Sequence, residues 1–327
     1  MDNSKVLNLS NLTQVILANW PVELASQVDY CVALSGGIDS IVLLDILHQL
    51  SQLKPIKLSA IHVNHGISPN ALVWQNFCQQ FCQQRNIPLS ISQIQVHKIA
   101  GEGLENSARK LRYQQFQESS ANVIVLAHHQ DDQIETMLSQ ILRGSDLHNS
   151  AAMRNLVKRQ QQYYWRPLLN LSKVQLLNYA LEHNLNHIED ESNQDNRYLR
   201  NFLRNQIIPQ LIDFDRYIQS KLINSVEQLQ LASQLNDELA TIDYQQIKTI
   251  NGDLNRQLFS QLSNLRQRNL LSYYLRLHQL PLPSTKQLNE FIRQTIQAAT
   301  DRQPKLNLSK FITLVARTKI IVLDKLA

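Results

Sequence analysis

The chain has 327 residues and a formal net charge of +5, with 43% hydrophobic and 18% charged residues. That length exceeds one small module, so two domains are expected, and the apolar content excludes a disordered chain. Seven glycines and nine prolines exclude collagen-like and low-complexity classes. Three cysteines make no disulfide framework, and no run reaches the roughly 18 apolar residues of a membrane span.

The N-terminal MDNSKVLNLSNLTQVIL lacks the basic, apolar, small-residue order of a secretory signal, so a cytoplasmic location is expected. Four short apolar runs then predict buried strands at Tyr30 to Leu34, Leu58 to Val63, Leu89 to Val96 and Val123 to Ala127. Helical segments follow them. Ser68-Pro69 supplies an N-cap and a first-turn proline ahead of Val73, Phe77 and Phe81. Ile134, Met137, Leu138, Ile141 and Leu142 make a helical stripe that Gly144 should cap. Parallel strands need crossover helices, so the fold class is α/β, a parallel sheet with helices on both faces. Ligands of such sheets bind beyond the carboxyl ends of the strands.

Past Pro167 the pattern turns helical, with a capped helix from about Ser172 and another from Arg197 to Ile208 that should end before Pro209. A long helix is expected over about Phe214 to Ile242, and FITLVARTKIIVLDK reads as two short strands. Residues 1–212 are thus expected to form the α/β domain, which carries any chemistry at its strand ends, and 213–327 a smaller, mostly helical one. Lys+Arg against Asp+Glu balances at 17 to 17 over residues 1–212 but stands at 12 to 4 over 253–325. A polyanion such as RNA and a merely well-solvated basic surface both fit that excess.

Ser35-Gly36-Gly37-Ile38-Asp39-Ser40 joins the first strand to an apolar helix. Two glycines allow close backbone approach, while Ser hydroxyls and free helix N-terminal amides suit phosphate oxygens. It lacks the Gly-Lys-Ser/Thr ending of a Walker A loop, and Asp39 beside phosphates makes sense as a Mg²⁺ ligand. The loop resembles the S-G-G-x-D-S signature of the PP-loop, or N-type, ATP pyrophosphatase superfamily, whose members cleave ATP between the α and β phosphates and adenylate a substrate oxygen.

Other candidates lie at the remaining strand ends. His62-Val63-Asn64-His65-Gly66 offers two histidines as metal ligands or nucleotide contacts. In ENSARKLRY, Arg109 and Arg112 are helical neighbours that could clamp phosphates or RNA, or form a solvated face. In HHQDDQIET, His128 is a candidate acid or base, and Asp132 and Glu135 share a helix face able to bind a cation. Acids at a helix start also stabilise it through the dipole alone.

Together HVNHG, ENSARKLRY, HHQDDQIETMLSQILRGS, Arg166 to Leu169 and EDESNQDNRYLRNFLRNQIIP closely resemble the tRNA(Ile)-lysidine synthetase family over nearly all of residues 29–209. That resemblance implies ATP-dependent adenylation of the 2-carbonyl oxygen of the wobble cytidine in the CAU anticodon of tRNA(Ile), followed by attack of free L-lysine with loss of AMP. It implies ATP and Mg²⁺ as cofactors, with Ser35 to Ser40 on ATP and Asp39 toward the metal. His128, Asp132, Asp39 and Arg109 become the catalytic set; Asp132, Glu135, Arg112 and Arg200 contact substrates. The C-terminal domain is the expected tRNA contact, and no obligate protein partner is evident. The longest family members carry an additional C-terminal domain, for which this chain looks too short. Rival readings are a PP-loop tRNA thiolase, which wants a reactive cysteine pair or an iron-sulfur cluster, an amidating ligase such as NAD or GMP synthetase, and a nucleotide-sensing RNA-binding protein. Cys31, Cys78 and Cys82 read as inert core cysteines.

Overall fold

A computed structural model describes residues 9–66, 68–95, 104–299 and 302–325. The Ser10 hydroxyl accepts from the Thr13 amide and opens α1, Asn11–Ala18. Strands and helices then alternate: β1 (Asp29–Ala33), α2 (Ile38–Ser51), β2 (Lys57–Asn64), α3 (Ala71–Gln83), β3 (Leu89–Gln93), α4 (Leu104–Glu118), β4 (Val123–Val125) and α5 (Gln130–Leu142). A short α6 (Leu147–Ser150) precedes the strands β5 (Leu156–Arg159) and β6 (Gln162–Trp165), then α7 (Lys173–Glu182). The third strand stops at Gln93, and Val96, its expected end, lies outside the described residues.

The six strands run in the order β3-β2-β1-β4-β6-β5, parallel throughout except for β5, which pairs antiparallel with β6 at the edge. Successive crossovers build β1, β2 and β3 outward on one side, whereas β4 returns to the other side of β1. The order therefore reverses between β1 and β4, and the crevice at their carboxyl ends is where an open α/β sheet binds ligands. Helix α2 is apolar all round because it is buried all round: Ile41, Val42, Leu43, Leu44, Ile46 and Leu47 are fully covered. Its buried acid, Asp45, accepts from the Tyr179 hydroxyl at 2.9 Å, which ties α7 to the core.

Two helix boundaries differ from expectation. Ser68 does not cap α3: its hydroxyl accepts from the Asn70 amide at 3.1 Å in a preceding turn, and Asn70 holds the N-cap position. The buried face of α3 is Cys78, Phe81 and Cys82, with Val73 turned outward. Nor does Pro209 stop the helix that precedes it. The run continues as α8 (Leu199–Phe202), a π turn over Leu203–Ile207, and α9 (Ile208–Phe214), with the proline in the first turn of α9. A π turn shifts the hydrogen-bond ladder by one residue, and a proline in a first turn has no donor to waste.

The long helix is α10, Ile218–Ile247, and the chain divides into two compact units, residues 1–227 and 228–327, with the cut inside it. In the second unit β7 (Leu254–Asn255), α11 (Arg256–Gln261), α12 (Asn264–Leu277), α13 (Thr285–Gln297), β8 (Lys305–Asn307), β9 (Ile312–Ala316) and β10 (Ile320–Lys325) follow. The strands form an antiparallel sheet in the order β7-β10-β9-β8. Phe259, Leu271, Tyr274, Phe291, Ile292, Leu314 and Ile321 fill its core. Part of the basic excess is structural: buried Arg256 donates to the carbonyls of Thr295 and Arg317, and Arg266, Arg276, Arg293 and Arg317 pair with Asp243, Asp237, Glu290 and Asp324.

Candidate active site

The glycine loop occupies the β1 side of the switch point. Gly36 has φ +89°, a conformation that demands glycine, and a Cβ there would sit 2.7 Å from Ile188 Cδ1 and displace that side chain's tip. The Ile188 amide donates to the Gly36 carbonyl at 2.9 Å and pins the loop from outside. From inside, the Ser40 hydroxyl accepts from the Ser35 and Gly36 amides at 3.2 Å each and donates to the Gly37 carbonyl at 2.9 Å. Gly37 takes the N-cap position of α2 and offers no side-chain acceptor to its first amides. A rigid loop ending in an uncapped helix start is a preformed anion cradle.

Asp39 stands in the first turn of α2. Its carboxylate accepts from Lys173 Nζ at 2.6 Å and lies 3.7 Å from His129 Nε2. Lys173 is a residue that spacing alone did not single out. It opens α7 directly after Ser172, whose hydroxyl forms a capping box with Gln175. A cation in the first turn opposes the helix dipole by about 0.3 to 1 kcal/mol, so Lys173 sits where only its partner across the crevice favours it.

On the β4 side, His129 caps α5, accepting from the Asp131 amide while Asp132 Oδ2 accepts from the His129 amide at 3.0 Å. Asp132 and Glu135 do share a face, and that face meets two guanidiniums. Arg200 donates to Asp132 Oδ1 at 2.5 Å and to Glu135 Oε2 at 2.7 Å; Arg204 donates to Glu135 at 2.6 and 2.9 Å. Glu135 is 1% exposed. Arg204, in the π turn, escaped the sequence reading because the two arginines converge on the acids only in the fold. The dipole role alone does not describe these acids, since a buried carboxylate bridging two guanidiniums is far more strongly held.

Electrostatics separates the two histidines. Burial, helped by the charges of Arg166, Arg200 and Arg109, pushes His128 down to about 3 against the pull of Asp132. His128 is therefore a neutral ring at neutral pH, suited to hydrogen bonding rather than to charge. Burial also disfavours a charged His129, but Asp131, Asp132 and Asp39 outweigh it and hold its pKa above the ordinary value. Burial would raise Asp132; His129 and Arg200 instead pull it down to about 2.

These shifts have opposite signs in stability. The Asp132 contribution is fully present above its ordinary value of 3.8 and is lost as pH falls to about 2. The His129 contribution is present below 6.5 and fades as pH rises through its raised value. Melting temperature against pH should therefore fall steeply in the acid limb, and Asp132→Asn should flatten it. An unchanged acid limb in the variant would remove Asp132 from the coupling.

The other sequence candidates gather nearby. His62 Nδ1 lies 2.9 Å from the Leu34 carbonyl, and His65 is pushed down to about 4 by burial and by Arg112. No group of three or more metal-ligating side chains occurs among the described residues. Arg109 lies with its guanidinium 5.1 Å from the Tyr113 ring centroid on α4. Burial pushes the thiols of Cys78 and Cys82 up to about 12 and about 11, so both stay protonated at neutral pH, unlike the thiolates of sulfur-transfer chemistry.

A glycine loop and uncapped helix at the switch point of a largely parallel sheet define a nucleotide-binding α/β protein. The chain matches the family model of the PP-loop domain over residues 8–211 and that of the TilS substrate binding domain over 254–318. It is 39% identical to the tRNA(Ile)-lysidine synthase of Nitrosomonas europaea over 90% of this chain and 65% of that protein. For the synthase of Actinobacillus pleuropneumoniae serotype 3 the figures are 38%, 88% and 68%, and for that of Haemophilus influenzae Rd 40%, 85% and 66%. The chain belongs to the tRNA(Ile)-lysidine synthase family, and it spans about two thirds of the length of these relatives. The U34-tRNA thiolase NcsA from Methanococcus maripaludis, solved with a 4Fe-4S cluster, shares the fold at TM-score 0.55 and 17% identity, over 67% of this chain and 77% of that one.

Proposed function

We propose that the chain ligates free L-lysine to the wobble cytidine of the CAU anticodon of tRNA(Ile), using ATP and releasing AMP and pyrophosphate. The observation that carries this reading is the meeting, at one switch point, of the uncapped α2 cradle with the buried Asp132 and Glu135 face. The cradle takes phosphates, and Asp39, 27% exposed at its rim, suits a Mg²⁺ ion that keeps most of its shell for water and phosphate oxygens. Such an ion would neutralise phosphate charge there; Lys173 is the cation that holds Asp39 in the free protein. Asp132 and Glu135, whose charges Arg200 and Arg204 balance in the free protein, take the lysine ammonium, while Arg109 and Arg112 contact phosphates of the nucleotide or of the RNA. Neutral His128 orients by hydrogen bonding. Incubation with ATP, Mg²⁺, labelled lysine and bacterial tRNA, followed by nucleoside analysis, tests the reading: lysidine in the digest supports it, and label absent from tRNA counts against it.

The second unit is the proposed tRNA contact. Beyond its internal ion pairs, Lys286, Lys305, Lys310 and Lys319 have no carboxylate within 4.0 Å among the described residues. Log affinity for tRNA is expected to fall linearly with log salt, and Lys305→Ala with Lys310→Ala should flatten the slope by about 1 to 2. A filter-binding titration at several salt concentrations checks this; an unchanged slope contradicts it.

A further inference from the structure

One buried guanidinium in the first unit has no carboxylate beside it among the described residues. Arg166, directly after β6, is 4% exposed, and the one well-formed hydrogen bond of its guanidinium among the described residues runs from Nη1 to the Arg154 carbonyl at 3.1 Å. Its Nε has no partner. Among the described residues no carboxylate lies within 4.0 Å of Arg166, nor of Arg109 and Arg159, whose guanidinium carbons lie 5.1 and 5.2 Å from the Tyr113 ring centroid. Tyr113 is 9% exposed, and its hydroxyl, beside Arg166, makes no well-formed hydrogen bond, nor does His128 Nδ1. A buried guanidinium with no anion, beside a buried unsatisfied hydroxyl, is an arrangement that folding penalises twice. Burial accordingly pushes Arg166 below its usual pKa, and Arg109, Arg166 and Arg112 outweigh burial to lower that of Tyr113. Each of these strains is relieved by the same thing, an oxyanion among them.

We propose that Arg166, Tyr113, Arg109 and the His128 ring form a receptor for a phosphate group of the substrate, distinct from the glycine loop. The sheet order puts β4 between β1 and β6, so the receptor lies two strand spacings, roughly 10 Å, from the loop. Two guanidiniums with no carboxylate within 4.0 Å among the described residues, joined by a hydroxyl and a neutral imidazole, suit a phosphate better than the single charge of an amino-acid carboxylate. The identity of that phosphate rests on the function proposed above: with the loop holding ATP, the receptor takes a backbone phosphate next to the reacting nucleoside.

The test uses the full chain with Tyr113→Phe and Arg166→Gln, and three probes: a synthetic CAU anticodon stem-loop, ATP with Mg²⁺, and inorganic pyrophosphate. Each variant should weaken stem-loop binding about tenfold at fixed salt and leave ATP affinity unchanged. Tyr113→Phe should melt no lower than wild type without ligand, since the lost hydroxyl makes no well-formed hydrogen bond, whereas a packing role would lower melting and leave affinities untouched. Weakened ATP and pyrophosphate binding instead would keep the receptor and assign it to the nucleotide. If wild type neither binds the stem-loop nor makes lysidine, the proposed function fails, and pyrophosphate binding by wild type and variants still decides the receptor. Wild-type affinities for all three probes in Tyr113→Phe would overturn it, even if Arg166→Gln does not fold.

Discussion

Asp39→Ala is expected to reduce ATP-dependent adenylation at least about a thousandfold, ~4 kcal/mol in the barrier, while the variant folds normally. The carboxylate stands at the rim of the cradle, where it and the phosphates would share one Mg²⁺ ion. Its partners in the free protein do little for stability, because the pair with Lys173 is about a third exposed and such pairs contribute about 0 to 1 kcal/mol. The loss should therefore appear in pyrophosphate release and not in the melting temperature. Release at the wild-type rate from a folded variant would take Asp39 out of the metal site.

Glu135→Gln should act on the lysine step and on stability together. In the variant Arg200 and Arg204 lose the buried Glu135 carboxylate and keep only Asp132 between them. Breaking a buried pair costs about 3 to 5 kcal/mol, and exposure of Arg200 and Arg204 near one third points to the lower end, about 3 kcal/mol. Adenylation, which needs the loop and Asp39, should proceed, while the lysine concentration for half-maximal rate rises and adenylated tRNA accumulates or hydrolyses. Urea unfolding and lysine titration measure the two effects. A fall below 1 kcal/mol with unchanged lysine dependence would return Glu135 to a helix-start role and move the amino-acid site elsewhere.

What the sequence revealed and what it hid have physical causes. The β1, glycine loop and α2 sequence was legible because an apolar run, two glycines and an all-apolar helix have few other solutions. The α5 stripe and the Ser172 cap were legible because their signals are local. The β5 and β6 hairpin was hidden: LVKRQQQYYW turns at Gln160, at φ +52° without a glycine or asparagine to mark it. Lys173 and Arg204 were hidden for another reason. Each lies far along the chain from the acid it meets, Asp39 or Glu135, and only the sheet order brings them together. The orphaned hydroxyl of Tyr113 leaves no trace in spacing at all.

The most direct measurement concerns one oxygen. If the wobble cytidine is activated through its 2-carbonyl oxygen, that oxygen attacks the α-phosphorus of ATP as pyrophosphate leaves. The lysine amino group then attacks carbon 2, and the carbon–oxygen bond breaks with AMP as leaving group. An anticodon stem-loop carrying ¹⁸O at that position should yield AMP bearing the label, in amount equal to the lysidine formed. Unlabelled AMP, with ¹⁸O retained in the RNA, would contradict activation of the base and place the adenylate on another oxygen.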